Sequence, residues 1–241
     1  MARVKTGIVE FDKMLSGGFM ERDSILVAGP PGAGKTTLGL QYLVNGATQF
    51  EENGIFVSFE QMPDQIYRDA ATFGLDLRKL EREKKFKLVC TSPDLLIAGD
   101  GEHLLDESIG QLKARRIVID SLSHLAMYVE EKSLRKETYR LLNYLKTKQL
   151  TSLSTWESSQ IVGQEFSVTE IGVSFLVDCV VVLRLVEIGS VMRKALVILK
   201  MIGSDHDRAL REFMINSHGI KVSKPFSGFH GIVTGIPRKG R

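Results

Sequence analysis

The sequence predicts an α/β protein: a three-layer sandwich with a mostly parallel central sheet and a small antiparallel extension near its C-terminal end. Three observations carry this expectation. Short apolar runs of the buried-strand kind alternate with helical stretches along most of the chain. Parallel strands need long crossovers, and the helical stretches supply them. The last part of the chain is rich in β-type runs with no helical pattern between them. The 241 residues suffice for one sizeable domain and are tight for two. A single domain over residues 1–241 is therefore expected, with 1–20 as a lead-in and 223–241 as a tail.

The elements follow in order. Thr6 to Phe19 mixes a short helix with a glycine turn, and Ser24 to Ala28 is the first buried strand. A glycine-rich loop, Gly29 to Gly34, leads into a helix from Lys35 to about Phe50, with Leu38, Tyr42 and Leu43 on one side. Ile55 to Phe59 is the second strand and ends in Glu60. A helix opened by Pro63 runs to Phe73, where Gly74 suits a C-cap. Phe86 to Cys90 is a third strand, residues 91–101 are read as loop, and Glu102 to Ala114 is an amphipathic helix. Arg116 to Asp120 is a fourth strand, residues 133–148 a helix, and Leu150 to Thr155 a fifth strand. Val177 to Val186 and Leu196 to Met201 read as strands, and 213–222 as one last short strand.

Composition narrows the classes of function. With 43% hydrophobic residues, 25% charged and a net charge of +3, nothing demands a polyanionic partner. The basic stretch Arg78 to Lys87 is punctuated by acids and reads as a solvated helix and turn. Cys90 and Cys179 each sit in an apolar run and read as two buried thiols, without disulfide or metal-site spacing. His103, His124, His218 and His230 show no metal-ligand spacing and read as ordinary surface or core residues. No signal segment opens the chain, and no apolar run reaches the ~18 residues of a membrane span. A cytoplasmic protein without a membrane partner is expected.

The loop Gly29–Pro30–Pro31–Gly32–Ala33–Gly34–Lys35–Thr36 is a complete phosphate-binding motif in its required place, between a buried strand and a helix. Its glycines let backbone N–H groups turn inward around a phosphate without Cβ clashes. The helix that follows aims its positive N-terminus at the same phosphates. Lys35 is expected to reach the β- and γ-phosphates of ATP, and the Thr36 hydroxyl to ligate Mg²⁺. Asp120, an acid closing an apolar strand, is expected to hold Mg²⁺ directly or through water; a strand-end Asp can equally cap a helix, and Ser121 suits that role too. Glu60 ends the strand after the phosphate-loop helix, where a carboxylate can take a proton from attacking water. The alternative there is a surface glutamate in a turn.

Taken together, these residues are far more specific than a phosphate loop alone. The opening TGIVEFDKMLSGG, the loop GPPGAGKTT, the stretches VSFEQMPDQ, FGLDLRKL and ARRIVIDS, and the tail LKMIGSDHDRALREFMINSHGI resemble the KaiC-like ATPases, the circadian-clock group within the RecA-like superfamily. The resemblance covers nearly the whole chain. From VEIG at 186–189 onward it is closest to the second, kinase-active domain of those proteins. It implies a RecA-like fold and phosphate contacts from Gly32, Ala33, Gly34, Lys35, Thr36 and Thr37. Thr72 falls near the base or ribose, and Glu60 on the first of two consecutive catalytic glutamates. Lys200, Ser204 and His206 fall in a segment that touches ATP bound to the neighbouring subunit. A homo-oligomer is implied, a hexameric ring with ATP at its interfaces.

The chain departs from the family pattern at three places. Gln61 stands where the second glutamate is expected, and it cannot act as a base. Ile202 replaces the arginine of a Lys-x-Arg-Gly segment, and loss of an arginine finger can cost orders of magnitude in rate; Lys194 or Arg193 could supply charge in its place. Ser174–Phe175 replaces an autophosphorylated Ser–Thr pair, leaving Ser174 as the candidate phosphorylation site. The leading expectation is a slow ATPase that works as a nucleotide-dependent ring switch, with residual autokinase activity in question. One alternative is a recombinase-type protein that binds single-stranded DNA, with Trp156 available to stack on a base. Against it, Ser121 to Glu131 carries no Lys or Arg, and none follows Lys148 until Arg184. A DNA partner is therefore not expected, and Arg238–Lys239–Gly240–Arg241 reads as a frayed basic tail. The other alternative is an ATP-bound scaffold without useful turnover.

Overall fold

A sheet covered by helices on both faces buries both sides of every strand, which is why its strands are short continuous apolar runs. The computed structural model describes residues 2–97, 100–158, 172–226, 229–230 and 238–239. In chain order the elements are β1 (Arg3–Val4), α1 (Val9–Met14), β2 (Phe19–Met20), β3 (Ser24–Gly29), α2 (Lys35–Gln49), β4 (Gly54–Ser58), α3 (Pro63–Thr72), α4 (Leu77–Arg82) and β5 (Phe86–Cys90). Then come α5 (Pro93–Ile97), α6 (Asp100–Leu112), β6 (Arg116–Asp120), a 3₁₀ segment η1 (Leu122–Met127), α7 (Glu131–Thr147) and β7 (Thr151–Glu157). The chain ends with a 3₁₀ turn η2 (Val173–Phe175), β8 (Cys179–Ile188), β9 (Val191–Met201), β10 (Arg211–Asn216), β11 (Gly219–Pro225), β12 (Phe229–His230) and β13 (Arg238–Lys239).

Nine strands form one sheet in the order β11-β10-β9-β8-β3-β7-β6-β4-β5. From β5 to β8 every pairing is parallel; β8, β9, β10 and β11 pair antiparallel. Side chains alternate between the two faces, as a strand requires. Ile25 and Val27 pack with α2, α3 and α4 through Leu38, Leu43, Ile66 and Leu80. Leu26 and Ala28 point to the other face, into a cluster with Leu105 of α6, Leu125 of η1 and Leu142 of α7. These are the three layers, and the mixed α/β sandwich fits a RecA-like domain.

Helix α2 is buried without a break from Thr37 to Ala47, so it lies inside the molecule rather than on it. Gly39 permits this approach: a Cβ there would stand 2.8 Å from Val118 Cγ1 on β6. Beneath the same helix the Arg116 side chain is fully buried. Its Nε donates to Glu52 Oε2 at 2.6 Å and its Nη1 to the Tyr42 carbonyl at 2.9 Å, while its guanidinium lies 4.5 Å from the Tyr42 ring centroid. A buried cation persists only with such pairing.

The structure corrects several details of the sequence reading. Residues 93–97 are helical and α6 begins at Asp100, so the 91–101 stretch is not all loop. The single strand expected over 213–222 is a hairpin, with Asn216 opposite Gly219 at its tip. β4 stops at Ser58, leaving Glu60 in the loop beyond the strand. Cys90 is exposed, and only Cys179 is buried. Arg238 and Lys239, read as frayed, pair with His230 and Phe229. Trp156 is buried in the α6–α7 face and is not available to stack on a base.

Candidate functional site

Ligands in such folds bind beyond the carboxyl ends of the parallel strands. There β3 ends in Gly29, β6 in Asp120 and β7 in Glu157, and the loop after β4 carries Glu60. Between β3 and α2 the chain makes the phosphate loop. Gly34 is the N-cap of α2 at φ 105°, ψ 20°, a backbone shape open to glycine and strained for any L side chain. No side chain caps α2, so its first N–H groups face the cleft. Lys35 Nζ folds back onto the carbonyls of Gly29 and Pro30, at 2.8 and 3.0 Å. Burial holds its ammonium below the usual lysine pKa range, and Glu157, Asp120 and Glu60 oppose that shift by attraction. A polyanion beside this lysine would replace the hydration it has lost.

Thr36 Oγ1 donates to Asp120 Oδ2 at 2.7 Å, and Thr155 Oγ1 donates to Asp120 Oδ1. The site therefore presents a hydroxyl and a carboxylate in contact at the helix N-terminus, an all-oxygen pair suited to a hard cation such as Mg²⁺. Among the described residues no group of three or more His, Cys, Asp or Glu could hold a metal. A cation here would draw its remaining ligands from water and from the phosphates of a bound nucleotide.

The cleft is open, about 410 Å³, and lies against Gly32, Gly34, Lys35, Thr36 and Thr37. Ala33 is almost completely buried, so it offers its backbone alone. Phe73, Lys194 and Ile215 close the cleft from other elements. Thr72 does not line it: its hydroxyl donates to the Asp69 carbonyl at 2.7 Å, and the next residue, Phe73, takes the lining position. Lys194 lies on β9, and its Nζ donates to the Gly32 carbonyl; burial holds its ammonium below the usual lysine range. The sequence marked Lys194 only as a substitute charge, because its approach to the loop depends on the antiparallel turn from β8 into β9.

Lys200, Ser204 and His206 lie elsewhere. Lys200 pairs with Val180, which pairs with Leu26 near the start of β3, whereas the phosphate loop leaves the end of β3. Three strand residues separate that level from the end of β3 at Gly29, roughly 10 Å. Lys200 Nζ donates to the carbonyls of Ser174 and Val177 at 3.2 and 2.6 Å, and Ser204 Oγ accepts from Arg3 at 2.5 Å. The backbone N–H of His206 donates to Asp205 Oδ1 at 2.9 Å. These residues stand apart from the phosphate loop of their own chain. Ser174 sits on the η2 turn beside the highly exposed Phe175.

Glu60 is largely exposed, and its Oε2 lies 3.4 Å from His124 Nε2. His124, read from the sequence as an ordinary surface or core residue, thus stands beside Glu60. It rides on η1, the segment after β6, which packs against β7, α5 and α7. The side chains of His103 and His230 lie outside the described residues. His218 sits in the tip of the β10–β11 hairpin.

A family model described as "ATPase: KaiC" matches residues 4–227. The circadian clock oscillator protein KaiC of Synechococcus elongatus is 35% identical over 237 residues, which is 98% of this chain and 45% of that protein. The circadian clock protein KaiC3 of Synechocystis is 33% identical over 235 residues, 98% of this chain and 46% of that one. The chain thus spans about half the length of the curated relatives it matches. Among the described residues no helix is long and apolar enough to cross a membrane. Because the family match runs through every strand that builds the phosphate cleft, the chain belongs to the KaiC family of ATPases.

Proposed function

We propose that this KaiC-family domain binds ATP with Mg²⁺ and hydrolyses it slowly, as a cytoplasmic nucleotide-dependent switch. The observation that carries this is the Thr36–Asp120 contact at 2.7 Å beside the half-buried Lys35. Lys35, the loop N–H groups and Lys194 would bind the triphosphate, and Thr36 and Asp120 would hold the metal ion. Mg²⁺ supplies charge neutralisation along the phosphates when bound. Glu60 would orient and deprotonate the attacking water. Gln61 adds a hydrogen bond but no base, and Ile202 adds no charge, which is why turnover is expected to be slow.

We further infer a ring, hexameric as in the family it resembles. Support comes from Lys200 and the segment after it that carries Ser204 and His206: Lys200 stands three strand residues, about 10 Å, before the end of β3 in its own chain. They would contact nucleotide only on a neighbouring subunit. Residues 1–241 would act as one domain in such a ring. Ser174, beside Lys200, is the residue we would test for phosphorylation. An ATP-bound scaffold without turnover is the second reading, favoured by the exposed, uncharged Ile202. Phosphate release by the purified protein, against Lys35→Ala as background, tests the enzyme reading. Release at the Lys35→Ala level would leave the scaffold. Sedimentation with ATP and with ADP tests the ring, and a monomer under both conditions would exclude it.

A further inference from the structure

We propose that His124 is a positioning residue that holds the Glu60 carboxylate toward the phosphate cleft during hydrolysis. The proposal rests on the reading of Glu60 as the residue that activates water.

Glu60 has a fixed backbone and a free side chain. Phe59 N–H donates to the Asp120 carbonyl at 3.0 Å, and Gln61 N–H to Ser58 Oγ at 3.1 Å, which anchors the loop on both sides of it. The Glu60 side chain is 71% exposed. A solvated glutamate samples many rotamers, and a base that must meet one water molecule needs few of them.

His124 is the opposite case. Its side chain is 19% exposed and rides on η1, directly after Asp120. Leu122 and Leu125 flank it and are essentially fully buried. Its backbone N–H donates to the Ser121 carbonyl at 3.1 Å, and Ser121 Oγ donates to the Thr155 carbonyl at 3.1 Å. The imidazole is therefore fixed relative to Asp120, and through Asp120 relative to Thr36 and the phosphate loop. Among the described residues His124 is the side chain within ion-pair distance of the Glu60 carboxylate.

The ring is also oriented. His124 Nδ1 is buried and has no hydrogen-bond partner among the described residues. Nδ1 lacks a partner in either neutral tautomer, whereas Nε2 faces the acceptor oxygen of Glu60, so a hydrogen bond between them places the proton on Nε2. The 3.4 Å separation is a few tenths of an ångström longer than a good N–H···O bond. Such contacts commonly tighten when substrate is bound. His124 then donates to one carboxylate oxygen of Glu60 and leaves the other to receive the proton of the water.

The test is steady-state phosphate release against ATP concentration for wild type, His124→Ala, His124→Gln, Glu60→Gln and the His124→Ala/Glu60→Gln double variant. Loss of positioning should lower kcat of His124→Ala about tenfold, with KM for ATP within about twofold of wild type. Glutamine retains an N–H donor at a similar reach, so His124→Gln should recover most of the rate. In the Glu60→Gln background, His124→Ala should change nothing further, because the group it positions is gone. An unchanged kcat in His124→Ala overturns the proposal, as does an equal fold-loss in both backgrounds or a His124→Gln variant no faster than His124→Ala. If Glu60→Gln itself turns over like wild type, the reading of Glu60 fails and the positioning role falls with it. A slow Glu60→Gln beside a fast His124→Ala refutes the positioning role alone.

Discussion

Replacing Asp120 with asparagine removes one charge and little volume at the point where three elements meet. The carboxylate accepts from Thr36 Oγ1 at 2.7 Å and from Thr155 Oγ1. An amide keeps one acceptor and turns the other into a donor, so one threonine hydroxyl must rotate to accept. Both bonds then survive as neutral ones. Charge assistance contributes roughly 0.5–1.5 kcal/mol per bond, so about 1–3 kcal/mol of stability should be lost without nucleotide. At about 2–4 °C per kcal/mol for a chain of this size, the melting temperature should fall by roughly 2–12 °C. Function should suffer more than stability. Metal-free ATP should bind Asp120→Asn at least as well as wild type, because a negative charge beside the phosphates is gone. The gain in affinity on adding Mg²⁺ should shrink, and phosphate release should drop by about 10²-fold or more. Nucleotide titrations with Mg²⁺ and with chelator, together with thermal melts, read all three quantities. A variant that keeps the wild-type magnesium dependence and rate would refute the assignment of Asp120 to the metal.

Gly34→Ala should cost about 1–3 kcal/mol in a thermal melt, because φ is 105° and the new Cβ would lie 2.6 Å from Ile215 Cδ1. A wild-type melt would show that the loop has another accessible shape. Glu52→Ala strands the buried Arg116 guanidinium and should destabilise by about 3 kcal/mol in chemical denaturation, whereas an exposed ion pair such as Lys132–Glu130 should cost less than about 1 kcal/mol. Burial and the neighbouring Asp178 push the Asp23 carboxyl up to about 7 from 3.8, with Lys146 and Arg3 opposing them. The folded state therefore holds this proton more tightly than the unfolded chain does. The resulting stabilisation is full below pH 3.8 and is lost as pH rises through about 7. Between pH 6 and pH 8 the melting temperature of Asp23→Asn should fall less than that of wild type, and equal slopes would remove Asp23 from the explanation.

What the sequence made legible was what short-range chemistry encodes. The six parallel strands announced themselves as apolar runs, and the phosphate loop as glycines followed by Lys35 and Thr36. Asp120 stood out because it closes an apolar strand downstream of a phosphate loop, and the fold brings it against Thr36 of that loop. The misreadings share a different cause. Residues 213–222 could not be split into a hairpin by pattern alone, since His218–Gly219 is a weak turn signal until β10 and β11 pair. Cys90 alternates with buried neighbours but ends an edge strand, where the sheet no longer covers it. Trp156 looked available beside a cleft and instead fills the face covered by α6 and α7. His124 and Lys194 approach the site across the fold, from η1 and from β9, and spacing along the chain cannot report that. The same holds for Lys200, whose distance from its own phosphate loop follows from its register on β8 and the register of β8 on β3.

The most direct measurement is release of phosphate from ATP by the purified protein with and without Mg²⁺, beside Lys35→Ala and Glu60→Gln. Slow, magnesium-dependent release that vanishes in Lys35→Ala and falls steeply in Glu60→Gln is the expected result. Release that is no greater than the Lys35→Ala background, or that ignores both substitutions, would contradict the assignment of this cleft as an ATPase site.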